Sequence, residues 1–145
     1  MKKILVGIDN SHRTPAVLTA AADMAKKMGA KLILFRAVTI PAHPNPEEYL
    51  APAEYGDILV RRAQSEVDES ATGLDPALIE RKHVEIGIPW DAICRAAKAD
   101  DVDCIVIGSH GYGAVDHLLG TTAAKVVNHA DRTVMVVSSA ERLAA

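Results

Sequence analysis

The sequence predicts an α/β domain built on an open, doubly wound sheet of five parallel strands. Strand-like and helix-like segments alternate along the chain in the order β-α-β-α-β-α-β-α-β, which is typical of a parallel sheet with helices on both faces. Most strand-like segments are short, nearly continuous apolar runs, as expected of strands buried on both faces. The length of 145 residues fits one domain, predicted to span residues 1–145.

The first strand and helix are predicted between residues 4 and 29. Residues 4–8 are an apolar run that stops at turn-forming residues beginning with Asp9. Thr14 and Pro15 then predict a helix N-cap and first helical residue, and Gly29 predicts the end of that helix. The apolar positions that recur at helical spacing on one face are Val17, Ala21, Met24, Ala25 and Met28.

The second strand is predicted over residues 32–38 and is followed by a proline-rich loop over 39–52. For this loop, a role as a lid and a role as a plain connection remain equally open. A helix is predicted over 53–71. The alternating pattern of 81–86 is typical of an edge strand, and a further helix carries Trp90.

The last part of the chain contains the remaining two strands. Residues 104–107 are an apolar run that ends in a glycine-rich loop over 108–113. Gly120 opens a helix that is predicted to end near His129, and 134–137 form the last strand.

Right-handed crossovers leave two strand orders, 3-2-1-4-5 and 2-1-3-4-5, and periodicity alone does not choose between them. The edge-like pattern of 81–86 favours 3-2-1-4-5, because that order places the third strand at an edge. Open α/β sheets bind ligands at the switch point, outside the carboxyl ends of the strands. In this order Asp9 and Gly108 leave the two strands that flank the switch point, so we expect them to share one crevice.

Composition argues against several classes of partner. The net charge of −3 and the pI near 6.0 give no electrostatic reason to expect nucleic acid or an anionic membrane surface. No apolar run approaches the roughly 20 residues that cross a bilayer, and the N-terminus is charged too soon for a signal peptide. Without a CxxC motif, Cys94 and Cys104 are expected to be buried free thiols in a reducing cytoplasm, with a disulfide as the alternative.

The glycine-rich loop predicts close backbone approach to a ligand. Gly108, Gly111 and Gly113 fall within six residues, and glycine permits positive φ and exposes backbone amides. The helix opening at 120–122 offers amide groups and a dipole that attract anions. Together they resemble a phosphate cradle, although glycines that only shape a turn, with Thr121 as a helix cap, remain an equal alternative.

Two nucleotide fingerprints do not match. The pattern GxxxxGK[ST] is absent, and Asp116 stands where GxGxxG would need its third glycine. Neither a P-loop NTPase nor a dinucleotide-binding dehydrogenase is therefore supported.

The whole chain resembles the universal stress proteins. The segments that carry the resemblance are KKILVGIDNS, GIPWDAI, DCIVIGSHGYG and HADRTVMVV. ATP-binding members of that family carry glycine, two residues, glycine, nine residues, then glycine and Ser/Thr. This chain has eight residues between Gly111 and Gly120, one fewer. The resemblance implies a Rossmann-like fold of the adenine nucleotide alpha hydrolase-like type that binds ATP and Mg²⁺.

The resemblance also implies roles for single residues. Asp9 would lie near the phosphates and hold them through Mg²⁺, with a plain turn residue as the alternative. Val38 would contact adenine through its backbone. Apart from the resemblance, the place of His110 in the glycine-rich loop would let it approach a phosphate, with an exposed loop histidine as the favoured alternative. The expected nucleotide-binding residues are Asp9, Val38, Ile107, Gly108, His110, Gly111, Gly113, Gly120, Thr121 and Thr122.

Phosphoryl transfer needs a metal clamp, neutralising cations and an oriented nucleophile. Because no lysine or arginine stands in the glycine cradle, we expect no catalytic residue and slow or absent turnover. The leading interpretation is a nucleotide-dependent regulatory module. A weak ATPase or phosphotransfer enzyme, and a dimeric interaction module with a vestigial site, are the alternatives. An apolar edge strand needs a cover, and the resemblance implies a homodimer through Val134, Met135, Val136 and Val137.

Overall fold

The computed structural model describes residues 1–40, 52–109 and 119–138, with the backbone alone at 52 and 53. In these ranges five parallel strands form one sheet in the order β3-β2-β1-β4-β5. This result confirms the order 3-2-1-4-5 and excludes 2-1-3-4-5. The strands are β1 (Lys3–Gly7), β2 (Lys31–Val38), β3 (Ile79–Ile86), β4 (Cys104–Gly108) and β5 (Thr133–Val137).

Four α-helices connect the strands in the described part of the chain. They are α1 (Thr14–Met28), α2 (Pro52–Ala71), α3 (Pro89–Ala99) and α4 (Thr121–His129). A short 3₁₀ turn over Pro76–Leu78 leads into β3, and the Asp75 carboxylate accepts a hydrogen bond from the Ala77 amide at its start. The turn ends at Leu78, and strand β3 begins directly after it at Ile79, two residues before the predicted start.

The sheet separates two apolar cores. Side chains alternate along β1, so Ile4 and Val6 face one core and Leu5 faces the other, all three at 0 % exposure. Helices α1 and α2 cover the first core, and α3 and α4 cover the second. Burial on both faces is the physical reason why this strand is a continuous apolar run in the sequence.

The start and the buried face of α1 differ from the prediction. Arg13 is the N-cap and Thr14 the first helical residue, so Thr14 does not cap the helix. Met28 is 51 % exposed, whereas Leu18, absent from the predicted stripe, is buried. Met28 lies in the last turn, directly before Gly29, which ends the helix as predicted with φ of 66°.

Both cysteines are free, as expected, and Cys104 is buried, but Cys94 is partly exposed rather than buried. Within the described part of the chain, no helix has the length and apolar character needed to cross a bilayer.

Candidate functional site

A cleft of about 690 Å³ opens at the carboxyl ends of the strands, where β1 and β4 lie side by side. Helix α1 leaves β1 onto one face of the sheet, and α4 follows β4 on the other face. The diverging connections open a crevice between the two strands, which is the switch point that the strand order predicted.

The cleft brings together residues that lie far apart in the sequence. Its wall includes the predicted site residues Asp9, Val38, Ile107, Gly108, Gly120, Thr121 and Thr122. The other predicted site residues, His110, Gly111 and Gly113, lie outside the described residues, as does most of the loop predicted over 39–52.

The turn after β1 holds the Asp9 carboxylate in place. Its Oδ1 atom accepts hydrogen bonds from the Ser11 amide at 2.9 Å and from the Thr14 hydroxyl at 3.2 Å. Ser11 and Thr14 are buried, at 7 % and 5 % exposure, whereas Asp9 is exposed. A buried frame therefore presents an exposed carboxylate at the cleft.

The start of α4 presents backbone amides to the cleft. Gly120 is the N-cap and makes no side-chain cap bond, so the alternative of Thr121 as the cap is wrong. The Gly120 amide donates to the Ser109 carbonyl at 2.7 Å, which ties this end of α4 to the end of β4. No acidic residue lies in the first turn. This helix end therefore retains its positive end charge, which favours an anion.

The end of β2 exposes a backbone group that sequence reasoning missed. The Val38 carbonyl accepts from the Gly87 amide at 3.0 Å and so points toward β3. The Phe35 carbonyl accepts from the Ile8 amide at 2.8 Å and points toward β1. Because successive residues of a strand point to opposite sides, the carbonyl of Ala37 points toward β1 and the cleft. Only the pairing register reveals this parity.

Two arginines line the cleft. Arg13 precedes α1, and Arg36 lies near the end of β2, where it pairs with Glu66 of α2. The expected lack of basic residues concerned the glycine cradle alone, whereas these two side chains lie on the wall formed by the ends of β1 and β2. Arg36 was visible in the sequence as the one charged residue inside the apolar run 32–38.

The floor of the cleft contains a glycine for steric reasons. A Cβ atom added to Gly7 would lie 3.0 Å from Ile107 Cγ2 and 3.1 Å from Ile93 Cδ1. Both neighbours also line the cleft. The absence of a side chain at this position lets β1 and α3 approach closely below the site.

A metal ion would depend on few protein ligands here. Among the described residues, no group of three His, Cys, Asp or Glu side chains is placed to hold a metal. Of the described residues that line the cleft, only Asp9 carries a carboxylate. This donor set fits Mg²⁺ that arrives with a nucleotide, since Mg²⁺ is commonly held by one or two carboxylates together with phosphate oxygens.

A sequence profile of the Universal stress protein family matches residues 1–138. A universal stress protein from Thermus aquaticus is 31% identical over 139 residues, which cover 94% of this chain and 98% of that protein. The solved structure of universal stress protein UspA from Lactobacillus plantarum is 27% identical with a TM-score of 0.76, covering 94% of this chain and 97% of the other.

Two more distant structures contain nucleotides. The universal stress protein of Archaeoglobus fulgidus in complex with dAMP has a TM-score of 0.60 at 21% identity, covering 95% of this chain and 98% of that chain. A universal stress protein in complex with cAMP has a TM-score of 0.62 at 23% identity, covering 96% and 98%. At these identities the likeness shows a shared fold and nothing further. With the profile match over nearly the full length, the chain belongs to the universal stress protein family.

Proposed function

We propose that this protein binds ATP with Mg²⁺ in the cleft and acts as a nucleotide-dependent regulatory module of the stress response. The observation that carries the proposal is the meeting of the Asp9 carboxylate and the amide end of α4 at one cleft. An anion site beside a carboxylate makes physical sense when a cation joins them, as in a magnesium–phosphate complex.

The proposed pose follows from the polarity of the cleft. Backbone groups of Ala37 and the side chain of Val38 receive the adenine, because the end of β2 offers a strand edge beside apolar surface. The phosphates extend toward Gly108 and the α4 residues Thr121 and Thr122. The dAMP and cAMP complexes of related folds support an adenine nucleotide as the ligand class.

The proposed role is binding rather than rapid turnover. Fast hydrolysis needs a positioned nucleophile as well as charge neutralisation. Arg13 and Arg36 add positive charge to the wall, but Arg36 is already paired with Glu66. We therefore expect fewer than about one ATP hydrolysed per minute, far below the usual range of enzymes. We also propose that the protein is cytoplasmic and forms a homodimer that pairs through β5.

A calorimetric titration of ATP with Mg²⁺ tests this proposal. The informative variant is Thr121→Asp, which places a carboxylate in the first turn of α4. It suits the helix dipole but repels phosphates, so stability is retained while affinity falls about tenfold or more, equivalent to about 1.4 kcal/mol or more. Ser65→Asp adds the same charge on an exposed position of α2 and serves as the control.

The outcomes separate clearly. Binding by the wild type and by Ser65→Asp, with weakened binding by Thr121→Asp, supports the cleft as the phosphate site. Equal affinity of all three proteins places the nucleotide elsewhere. A wild type that does not bind ATP overturns the proposed function.

A further inference from the structure

The Thr14 hydroxyl contacts Asp9 at two places. Its Oγ1 atom lies 2.9 Å from the Asp9 main-chain carbonyl oxygen and 3.2 Å from the carboxylate Oδ1 atom. A hydroxyl proton directed between these acceptors ties the side chain of Asp9 to its own backbone. Since Thr14 is buried and begins the α1 helix, the carboxylate is held from a rigid element.

This hydroxyl is not used by the helix that contains it. A threonine near a helix start commonly accepts a bond from a first-turn amide, but α1 has no side-chain cap bond and Arg13 stands at its N-cap. At 5 % exposure Thr14 could be replaced in packing by valine, which has nearly the same shape. The contacts of the hydroxyl therefore point to Asp9 rather than to helix stability.

We propose that Thr14 is a positioning residue that orients Asp9 toward the magnesium ion of a bound nucleotide; this inference rests on the proposed function. The bonds from Ser11 and Thr14 both end on Oδ1. Neither bond involves Oδ2, which is the oxygen that we expect to meet the cation.

The expected size of the effect follows from the demands of the ion. Mg²⁺ requires near-octahedral geometry at short distances, so a carboxylate with a fixed direction is a better ligand than a rotating one. Residues that orient a metal ligand typically contribute about 10- to 100-fold to metal affinity. When the Thr14 hydroxyl is removed and the Ser11 amide remains, we expect the affinity for magnesium–ATP to fall about tenfold.

The test compares three titrations: ATP with Mg²⁺, ATP with EDTA, and adenosine. Thr14→Val is expected to weaken magnesium–ATP binding about tenfold and to leave the other two affinities unchanged. Thr14→Ser restores the hydroxyl and should restore affinity. The matched control is Thr19→Val, since Thr19 is an exposed residue of the same helix whose hydroxyl donates to the Pro15 carbonyl at 2.9 Å.

A double-mutant cycle shows whether Thr14 acts through Asp9. In an Asp9→Ala background, Thr14→Val should have no further effect on magnesium–ATP affinity. Additive losses would mean that Thr14 acts on the nucleotide or on the fold, and would overturn the inference. Equal weakening of adenosine binding, or unchanged affinity in Thr14→Val, would overturn it too.

The two proposals fail in different ways. A wild type that binds no ATP contradicts the proposed function and, with it, the role of Thr14. If the wild type binds magnesium–ATP and Thr14→Val binds it equally tightly, the positioning role is contradicted and the proposed function is not.

Discussion

Arg36 of β2, which lines the cleft, forms an ion pair with Glu66 of α2. The arginine side chain is 13 % exposed and the glutamate side chain 34 %. A charge with so little access to water depends on its partner, because desolvation of an isolated ion costs several kcal/mol. The pair therefore both attaches α2 to the sheet and determines how freely the guanidinium can meet a ligand.

Glu66→Ala is expected to lower the free energy of unfolding by about 1–2 kcal/mol, since it leaves a mostly buried cation without its acceptor. Urea denaturation measures the change. The control is Asp68→Ala on the same helix, because Asp68 pairs with Lys82 at the surface, where both side chains are at least 40% exposed. That exposed pair should contribute less than about 1 kcal/mol. Equal losses in the two variants would contradict a special role for the Arg36–Glu66 pair.

Gly7→Ala is expected to destabilise the protein by about 1–3 kcal/mol through overpacking. The added Cβ would approach Ile107 and Ile93 to 3.0 and 3.1 Å, so the floor of the cleft must shift. Thermal denaturation followed by circular dichroism measures the effect. Gly73→Ala is the control, because a Cβ there meets no atom within 4 Å, and it should be neutral or slightly stabilising. A neutral Gly7→Ala would show that the floor yields easily.

Val136→Pro is expected to separate the proposed dimer without unfolding the subunit. The Val137 carbonyl accepts from the Ser109 amide at 3.0 Å, so Val137 points its backbone groups toward β4. By alternation Val136 points its amide away from the sheet, where proline can be tolerated. Sedimentation should show a monomer with native circular dichroism.

Met135→Pro is the contrasting variant for this edge, because its amide points toward β4 and its loss should destabilise the fold. Charged substitutions at Met135 or Val136 are less informative than these proline variants. Both side chains pack partly against the cores, so a charge would disturb the fold and the edge together. A dimer that persists in Val136→Pro would place the interface elsewhere.

Alkylation of Cys94 should be slow at neutral pH and should still accelerate above pH 9. Burial raises the pKa of its thiol, and the carboxylates of Asp91 and Asp131 raise it further. Because only the thiolate reacts, the rate rises about tenfold per pH unit below the pKa. Mass spectrometry after iodoacetamide treatment across a pH series measures the profile.

Asp91→Asn should speed the reaction of Cys94 at a fixed pH, since it removes a negative neighbour and so lowers the pKa of the thiol. Asp23→Asn, at an exposed position of α1, is the control and should leave the rate unchanged. A rate that levels off below about pH 8.5, the ordinary thiol value, would contradict the raised pKa.

The sequence by itself determined the elements and the end of the sheet at which the site lies. Apolar runs such as 104–107 identify buried strands, and their lengths separate them from the amphipathic helices between them. Asp9 and Gly108 were placed at one crevice because chain direction and right-handed crossovers constrain where parallel strands end. These are local or topological properties, and a single sequence carries them.

The tertiary structure decided which groups face the cleft. The choice between Val38 and Ala37 as the open strand edge depends on the register with β1 and β3. The presence of Arg36 in the wall depends on Glu66, a partner 30 residues away on another element. The sequence predicts Thr14 as a helix cap, whereas in the structure its hydroxyl donates to the carbonyl oxygen and the carboxylate of Asp9. Sequence patterns record which residues are apolar and how they repeat, whereas polar contacts depend on distances and directions that arise only when separate elements pack together.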